Sequence, residues 1–398
     1  MYRSAYSKLL SLHKSRRQLV LVCSGLIAVG LLVIILLNIF VKNQPAPVVQ
    51  AAARPMPLSR SVLMLAEEQI RMSKPAPTEA AREYAYVASA YDVGLKTNGQ
   101  AGALAAAAQL LNLFFPDNQA AIDQRLSQLA NHVHVKLYGS ADMPAATAQV
   151  AAKLVARNAA DGHDLVWDKI IPIGEGKWIK KIQKDPFTPR AGDWMRWIVS
   201  VPITVPPPPL VGSAEDIRQL QIVQIASANS NGEDINKINF WGGTPGTDTP
   251  SGIWQNQLYK TSYGLLPTDI LAADKAYSAV QSILAQTLSD SFMECWKVKY
   301  TYWTARPNMR DPSIKTAMDN PNFPGYVSGH STISKAAADV LASMVPAHTS
   351  DWQAMAVEAR DSRLKAGIHF DIDNQVGFDL GAAVAKQVIA AKELKQIL

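Results

Sequence analysis

Three short clusters in the last third of the chain hold residue types that could act together on an oxyanion. Lys299 stands with Arg306-Pro307, then come Ser328-Gly329-His330, then Ser362-Arg363 followed by His369 and Asp373. Written as patterns they are K-x6-R-P, S-G-H and S-R-x5-H-x3-D. Together they supply three cations, two imidazoles and one carboxylate. That inventory suits clamping a tetrahedral oxyanion and moving a proton or making a bond on it.

Each cluster has its own chemistry. Lys299 and Arg306 are seven residues apart, about two helical turns, which predicts side chains projecting from one face. Arg offers a planar fork to two oxyanion oxygens, and Lys offers a point charge. Pro307 biases Arg306 away from helix and predicts the end of an element there. Ser328, Gly329 and His330 precede an alanine-rich run, so they should open a helix whose free N–H groups favour an anion. There Gly329 permits close backbone approach, Ser328 donates a hydroxyl and His330 exchanges a proton. In the third cluster Arg363 adds a second fork. Asp373 lies four residues after His369, within reach of its ring, and a carboxylate on one ring nitrogen makes the other better aimed and more basic. Asp371 is a competing carboxylate that helical geometry should point elsewhere. Any one cluster alone is matched by ordinary surface residues. Of the seven histidines, His13, His132, His134, His163 and His348 have no such context.

These clusters, in this order and at these spacings, resemble the signature shared by type 2 phosphatidic-acid phosphatases, bacterial class A acid phosphatases and vanadium-dependent haloperoxidases. One departure is Val327, where the family writes a proline before S-G-H. The W-G-G-T-P-G-T stretch at 241–247 and Y-W-T-A-R-P at 302–307 look closer to soluble bacterial proteins related to vanadium chloroperoxidase. The resemblance covers roughly residues 75 to 390 and implies an all-α helical bundle of the haloperoxidase and acid phosphatase type. It implies oxyanion binding by Lys299, Arg306, Ser328, Gly329 and Arg363, with His330, His369 and Asp373 catalytic.

Two reactions fit that set. In a vanadium-dependent haloperoxidase, vanadate is the cofactor, His369 is the vanadium ligand and His330 handles peroxide protons while halide is oxidised. In a phosphatase, no cofactor is needed: His369 attacks a phosphate ester through a phospho-histidine intermediate, and His330 protonates the leaving alcohol. Trp296 and Phe323 match the aromatic positions that line the halide region of the chloroperoxidase branch, which favours the peroxidase. A third reading is a non-catalytic binding domain on a membrane tether.

The elements that must position these residues are mostly helical. Helices are expected from Pro77-Thr78 through Tyr91, and over 101–115, 118–138, 144–162, 213–226, 268–296, 331–344 and 352–366. Residues 171–209 and 241–250 read as irregular, being rich in Gly, Pro and Trp. No period-2 strand pattern and no repeat is seen. The chain has 398 residues, 48% hydrophobic and 18% charged, with net charge +6. Residues 1–43 hold six basic residues and no acid; setting those six aside from the 39 leaves 33 basic against 33 acidic. The rest is therefore neutral, which excludes a composition-driven nucleic-acid partner. Leu19 to Val41 is apolar, uncharged and long enough to span a bilayer. Residues 1–18 are expected to be a basic cytoplasmic N-terminus, 19–41 a transmembrane signal-anchor, 42–74 an extended linker and 75–398 the catalytic domain. The positive-inside rule puts that domain outside the cytoplasm as a single-pass, membrane-anchored enzyme; secretion after signal cleavage, near Ala51-Ala52-Ala53, is the alternative. Cys23 and Cys295 are too far apart in context to pair, so the core alone must hold the fold.

Overall fold

A computed structural model describes residues 54–139, 141–180 and 184–398. The expected basic N-terminus at 1–18, the anchor at Leu19 to Val41 and linker residues 42–53 lie outside these residues. Among the described residues no helix is long and apolar enough to cross a membrane. Twelve α-helices are described: α1 Leu58–Ser73, α2 Pro77–Phe114, α3 Gln119–His132, α4 Ala145–Ala160, α5 Ala214–Ala228, α6 Gly232–Phe240, α7 Thr249–Ser262, α8 Ile270–Tyr302, α9 Pro307–Arg310, α10 Gly329–Met344, α11 Thr349–Lys365 and α12 Asp371–Lys392. Among the described residues β structure is limited to one antiparallel bridge, Lys177 to Thr304. The fold is all-α, as the residue pattern predicts.

Two buried clusters organise the bundle. One is built by α1, α2, α3 and α4 and is rich in Ala, Leu and Tyr. The other joins α8, α10, α11 and α12 around Trp254, Trp296, Trp352, Ile333 and Val384. α8 packs against both α2 and α10, so it ties the two together. The site lies in the second cluster, where α10 packs against α8, α11 and α12.

The linker expectation needs correction: Leu58–Ser73 is helix, not an extended tether. Leu58, Val62, Leu65, Ala66 and Ile70 recur at helical spacing and are buried, which is the apolar stripe that drives docking. Asp274 on α8 accepts from the Ser59 N–H at 2.8 Å and pins the start of α1. α2 holds both predicted helices in one run, broken where Asn98 and Gly99 leave helical geometry. Ala76 is its N-cap rather than Thr78.

The elements around the site end for local reasons. α8 runs to Tyr302, further than expected, and stops because Trp303 turns left-handed (φ 56°), its N–H donating to Lys299 O. α10 begins at Gly329 with Ser328 as N-cap, its hydroxyl accepting from Ser331 N–H. α12 was not among the expected helices, although the His369–Asp373 spacing was read as helical. Its Gly377 and Gly381 argue against helix in sequence, yet both face α10. A Cβ at Gly381 would lie 2.2 Å from Thr332 O, and one at Gly377 would lie 2.8 Å from Ser328 O. Only glycine permits α12 to approach the start of α10 this closely.

Candidate active site

All the predicted catalytic and oxyanion-binding residues converge. Lys299, Arg306, Ser328 and Arg363 are wholly buried, His369 and Asp373 are 2% exposed, and His330 is partly buried. The reason given by helical spacing for the first pair is wrong, however. Lys299 sits in the last turn of α8, whereas Arg306 lies past that helix as N-cap of α9, with Pro307 opening α9 rather than ending an element. The two meet because the chain turns at Trp303. Lys299 Nζ donates to Pro324 O at 2.9 Å and Gly325 O at 2.7 Å. Arg306 Nη2 donates to Phe323 O at 3.2 Å. Both cations thus grip the 323–325 segment that delivers Ser328-Gly329-His330.

Hydrogen-bond roles settle the state of each imidazole. Arg306 Nη1 stands 2.7 Å from His369 Nε2. A guanidinium only donates, so Nε2 accepts and the ring proton lies on Nδ1. That proton is donated to Asp373 Oδ2 at 3.0 Å. The same Oδ2 accepts from Phe370 N–H at 3.2 Å, capping α12. Asp373 therefore anchors the helix and orients the histidine with one oxygen. His369 itself lies just before α12, so the contact comes from a capping geometry rather than from two positions on one helix. Asp371 turns away and accepts from Gln375, as helical geometry predicts. His330 has the opposite tautomer. Its Nε2 lies 2.6 Å from Trp241 O; a carbonyl only accepts, so Nε2 carries the proton and Nδ1 holds the lone pair.

The electrostatics of the site are one-sided. Lys299, Arg306 and Arg363 bring three positive charges against the one carboxylate of Asp373. Burial pulls Lys299 down to about 7, with Arg306 adding to the fall. Burial takes Arg306 to about 10, and burial plus the Arg306 charge take Arg363 to about 9. Burial, then the neighbouring cations, holds both imidazoles well below 6.5 and so neutral. Burial likewise pushes Asp373 up, while Lys299 and Arg306 oppose it. Several donors rest on weak or absent acceptors: Arg306 Nε is buried with no partner among the described residues, and Arg363 Nη1 points at the Met318 thioether. The first N–H groups of α10 lack intrahelical acceptors, as at any helix start. A buried excess of charge-assisted donors fits a multiply charged tetrahedral oxyanion.

Aromatic side chains close the site. The Trp296 and Phe323 rings lie 4.7 Å apart, and Phe292 packs on Trp296 at 5.4 Å. Lys299 Nζ and the Arg306 guanidinium lie 5.1 and 5.2 Å from the Phe323 ring, so the expected halide-region pair does border the cations. Trp296 Nε1 donates to Phe187 O. A cavity of about 30 Å³ is lined by Phe292, Trp296, Phe323, His330, Ile368 and His369.

Several supporting residues were not anticipated. Trp241 sets the His330 tautomer through its carbonyl. Ile238 O accepts from Arg363 Nη2 at 2.9 Å. Met318 and Pro324 hold cations through a sulfur and a carbonyl. Backbone acceptors leave no side-chain signature, and only the W-G-G punctuation pointed near Trp241.

Known structures share this architecture. The first bacterial vanadium-dependent iodoperoxidase superposes with a TM-score of 0.69 at 19% identity, covering 85% of this chain and 98% of that one. The holo and apo forms of a bacterial vanadium-dependent chloroperoxidase give TM-scores of 0.60 and 0.58 at 11% and 13% identity. They cover 88% and 87% of this chain and 96% of that chain in each case. The chain has the vanadium haloperoxidase fold. No sequence-family profile and no curated protein matches it. At these identities the likeness defines the fold, and the arrangement of the site's own residues carries the chemistry.

Proposed function

We propose that this protein is a vanadate-dependent peroxidase that uses hydrogen peroxide to oxidise a halide. The observation that carries the reading is His369: its Nε2 lone pair is presented among three buried cations, beside a cavity with room for little. At about 10–15 Å³ per water, the cavity of about 30 Å³ takes two or three water-sized molecules. Peroxide is that size; vanadate and a phosphate group are alike in size, so the Trp296–Phe323 pair beside the cations, rather than volume, favours the peroxidase. The structural neighbours, an iodoperoxidase and a chloroperoxidase, support the same choice.

Lys299, Arg306, Arg363, Ser328 and the Gly329 backbone would hold vanadate, with His369 Nε2 as the vanadium ligand. When bound, it would supply Lewis-acid activation of peroxide. The chain's own residues do the rest. Asp373 keeps the His369 proton on Nδ1, so Nε2 stays a lone pair. His330, neutral with its lone pair on Nδ1, can take a proton from peroxide; as an anion offsets the three cations, the ring can hold that proton and return it. Trp296, Phe323 and Ile368 exclude bulk water, which strengthens each charge interaction in the site. The phosphatase reading draws on the same His369–Asp373 pair, which would serve a phospho-histidine intermediate as well.

The deciding experiment assays the purified protein with and without orthovanadate. Halide-dependent peroxide consumption after loading supports the peroxidase. Phosphate release from a generic aryl phosphate, inhibited by vanadate and with no halide oxidation, overturns it. We propose also that the domain lies outside the cytoplasm on the N-terminal anchor; a C-terminal reporter active only in the cytoplasm should stay silent.

A further inference from the structure

Beside the oxyanion site is a second, larger pocket of about 190 Å³ that the halide chemistry does not need. Pro77, Pro321, Phe323 and Ile368 line both it and the inner cavity, so the two share a wall. Its outer side carries Phe187, Gly243, Thr244 and Pro245. The Phe187 ring lies 6.4 Å from Phe323, which extends the aromatic line from Phe292 and Trp296 outward. The exposed lining is mostly apolar, and its polar residues are Lys184, Thr244, Asp319, Asn320, Asn322 and Arg363. Asn320 and Asn322 border the pocket, and each has a buried amide oxygen with no hydrogen-bond partner among the described residues. Asn322 is 4% exposed. Its amide nitrogen donates to Asp185 O, and that of Asn320 donates to Asn308 Oδ1, which leaves the oxygens as acceptors. An unpaired buried acceptor is unfavourable, so a ligand that donates there is favoured over one that only fills space.

We infer that this pocket binds the organic acceptor of the reaction, an aromatic compound bearing a hydroxyl or ring N–H, such as a phenol. The aromatic wall takes the ring, and the Asn322 amide oxygen takes the donor. The inference rests on the peroxidase reading for its chemistry. Peroxide oxidises halide to hypohalous acid and is reduced to water. The bound ring then forms a carbon–halogen bond, loses its proton and releases the hypohalite oxygen as water. Held against the shared wall, the ring would meet the oxidised halogen as it leaves the inner cavity.

The test uses the full chain, 2-naphthol as probe and 2-methoxynaphthalene as its donor-blocked counterpart, with binding followed by saturation-transfer NMR and fluorescence titration. Saturable 2-naphthol binding is expected, with the methoxy compound roughly 5-fold weaker, the scale of one neutral hydrogen bond. Thr244→Trp, an exposed position at the pocket wall, should abolish binding while triiodide formation by the vanadate-loaded enzyme continues. Asn322→Leu should erase the difference between the two probes. Equal binding to wild type and Thr244→Trp, or no binding to either, overturns the inference, as does an unchanged probe preference in Asn322→Leu. Binding that follows the expected pattern in a protein that oxidises no halide leaves the pocket standing and removes the peroxidase reading instead.

Discussion

Replacing Asp373 by asparagine changes one charge and almost no volume, in a site where that charge is the counterweight to three cations. Asp373 Oδ2 accepts two hydrogen bonds, from His369 Nδ1 at 3.0 Å and Phe370 N–H at 3.2 Å. Bonds to a charged acceptor contribute about 1.5–3 kcal/mol, and neutral ones about 0.5–1.5. If the amide oxygen takes the place of Oδ2, each bond weakens by roughly 1 kcal/mol. If the amide nitrogen takes it, His369 must accept at Nδ1 and carry its proton on Nε2, facing Arg306 donor to donor. Either way Nε2 is a poorer ligand. About 1.4 kcal/mol of that loss corresponds to a 10-fold weaker vanadate affinity. The expected result is vanadate binding weakened at least about 10-fold, read by calorimetry or vanadium NMR, in a protein that still melts cooperatively. His369→Ala should lose more, because Asp373 acts only through that ring. Vanadate affinity within twofold of wild type in a folded Asp373→Asn protein would refute the claim that the carboxylate sets the histidine.

Other predictions follow from the same geometry. His330→Ala should slow turnover by roughly 10²–10⁴-fold while retaining most vanadate affinity, whereas His369→Ala should lose both; steady-state kinetics beside titration separate them. Gly377→Ala should cost about 1–3 kcal/mol of stability and weaken anion binding, since the added Cβ meets Ser328 O at 2.8 Å; denaturant melts with and without vanadate measure both. Anion-free protein should gain stability as pH rises above about 8. Below about 6.5 the unfolded chain protonates His330 and His369 while the folded one keeps them neutral. Between about 7 and the ordinary lysine value the unfolded chain alone protonates Lys299. For these groups the unfolded state binds more protons and their share of stability climbs with pH; below about 8 the raised Glu67, Glu83, Asp290 and Asp373 oppose it, so the net climb is expected above that. Bound phosphate or vanadate keeps Lys299 charged, so the melting-temperature gain from anion should shrink above about pH 7; a gain that grows there would contradict the assignment.

Much of the site was legible because its parts are side chains with rare chemistry. Lys299, Arg306, Arg363, His330, His369 and Asp373 announce themselves by type and order, and the structure brings all six together. The geometry that joins them was less legible. Helical spacing assigned Lys299 and Arg306 to one face, yet a left-handed Trp303 ends α8 between them. The 42–74 segment read as extended because Pro57 and the alanine-proline run beside it suggest a tether, although Leu58 to Ile70 carry a helical apolar stripe. α12 was missed for a different reason. Gly377 and Gly381 weaken its local helix propensity, and only the close approach of α10 explains them. Local pattern registers such residues as breakers; tertiary packing needs them as spacers.

The same packing explains how a site this charged is held in place. Three cations held in an apolar core are unfavourable unless geometry prevents their escape. Here each is tied to main chain: Lys299 to Pro324 and Gly325, Arg306 to Phe323 and Ile368, Arg363 to Ile238. Ile238 lies on α6 and the other carbonyls lie in the segments that lead into α10 and α12, so moving one cation outward would break the chain's path rather than one contact. The donors are thereby held before any ligand arrives, and the reorganisation that binding would otherwise require is already complete. What remains unbalanced is charge, and an arriving oxyanion supplies it. Affinity for a dianion should therefore depend more steeply on displacing the segment that carries Ser328, as Gly377→Ala does, than the small volume change suggests.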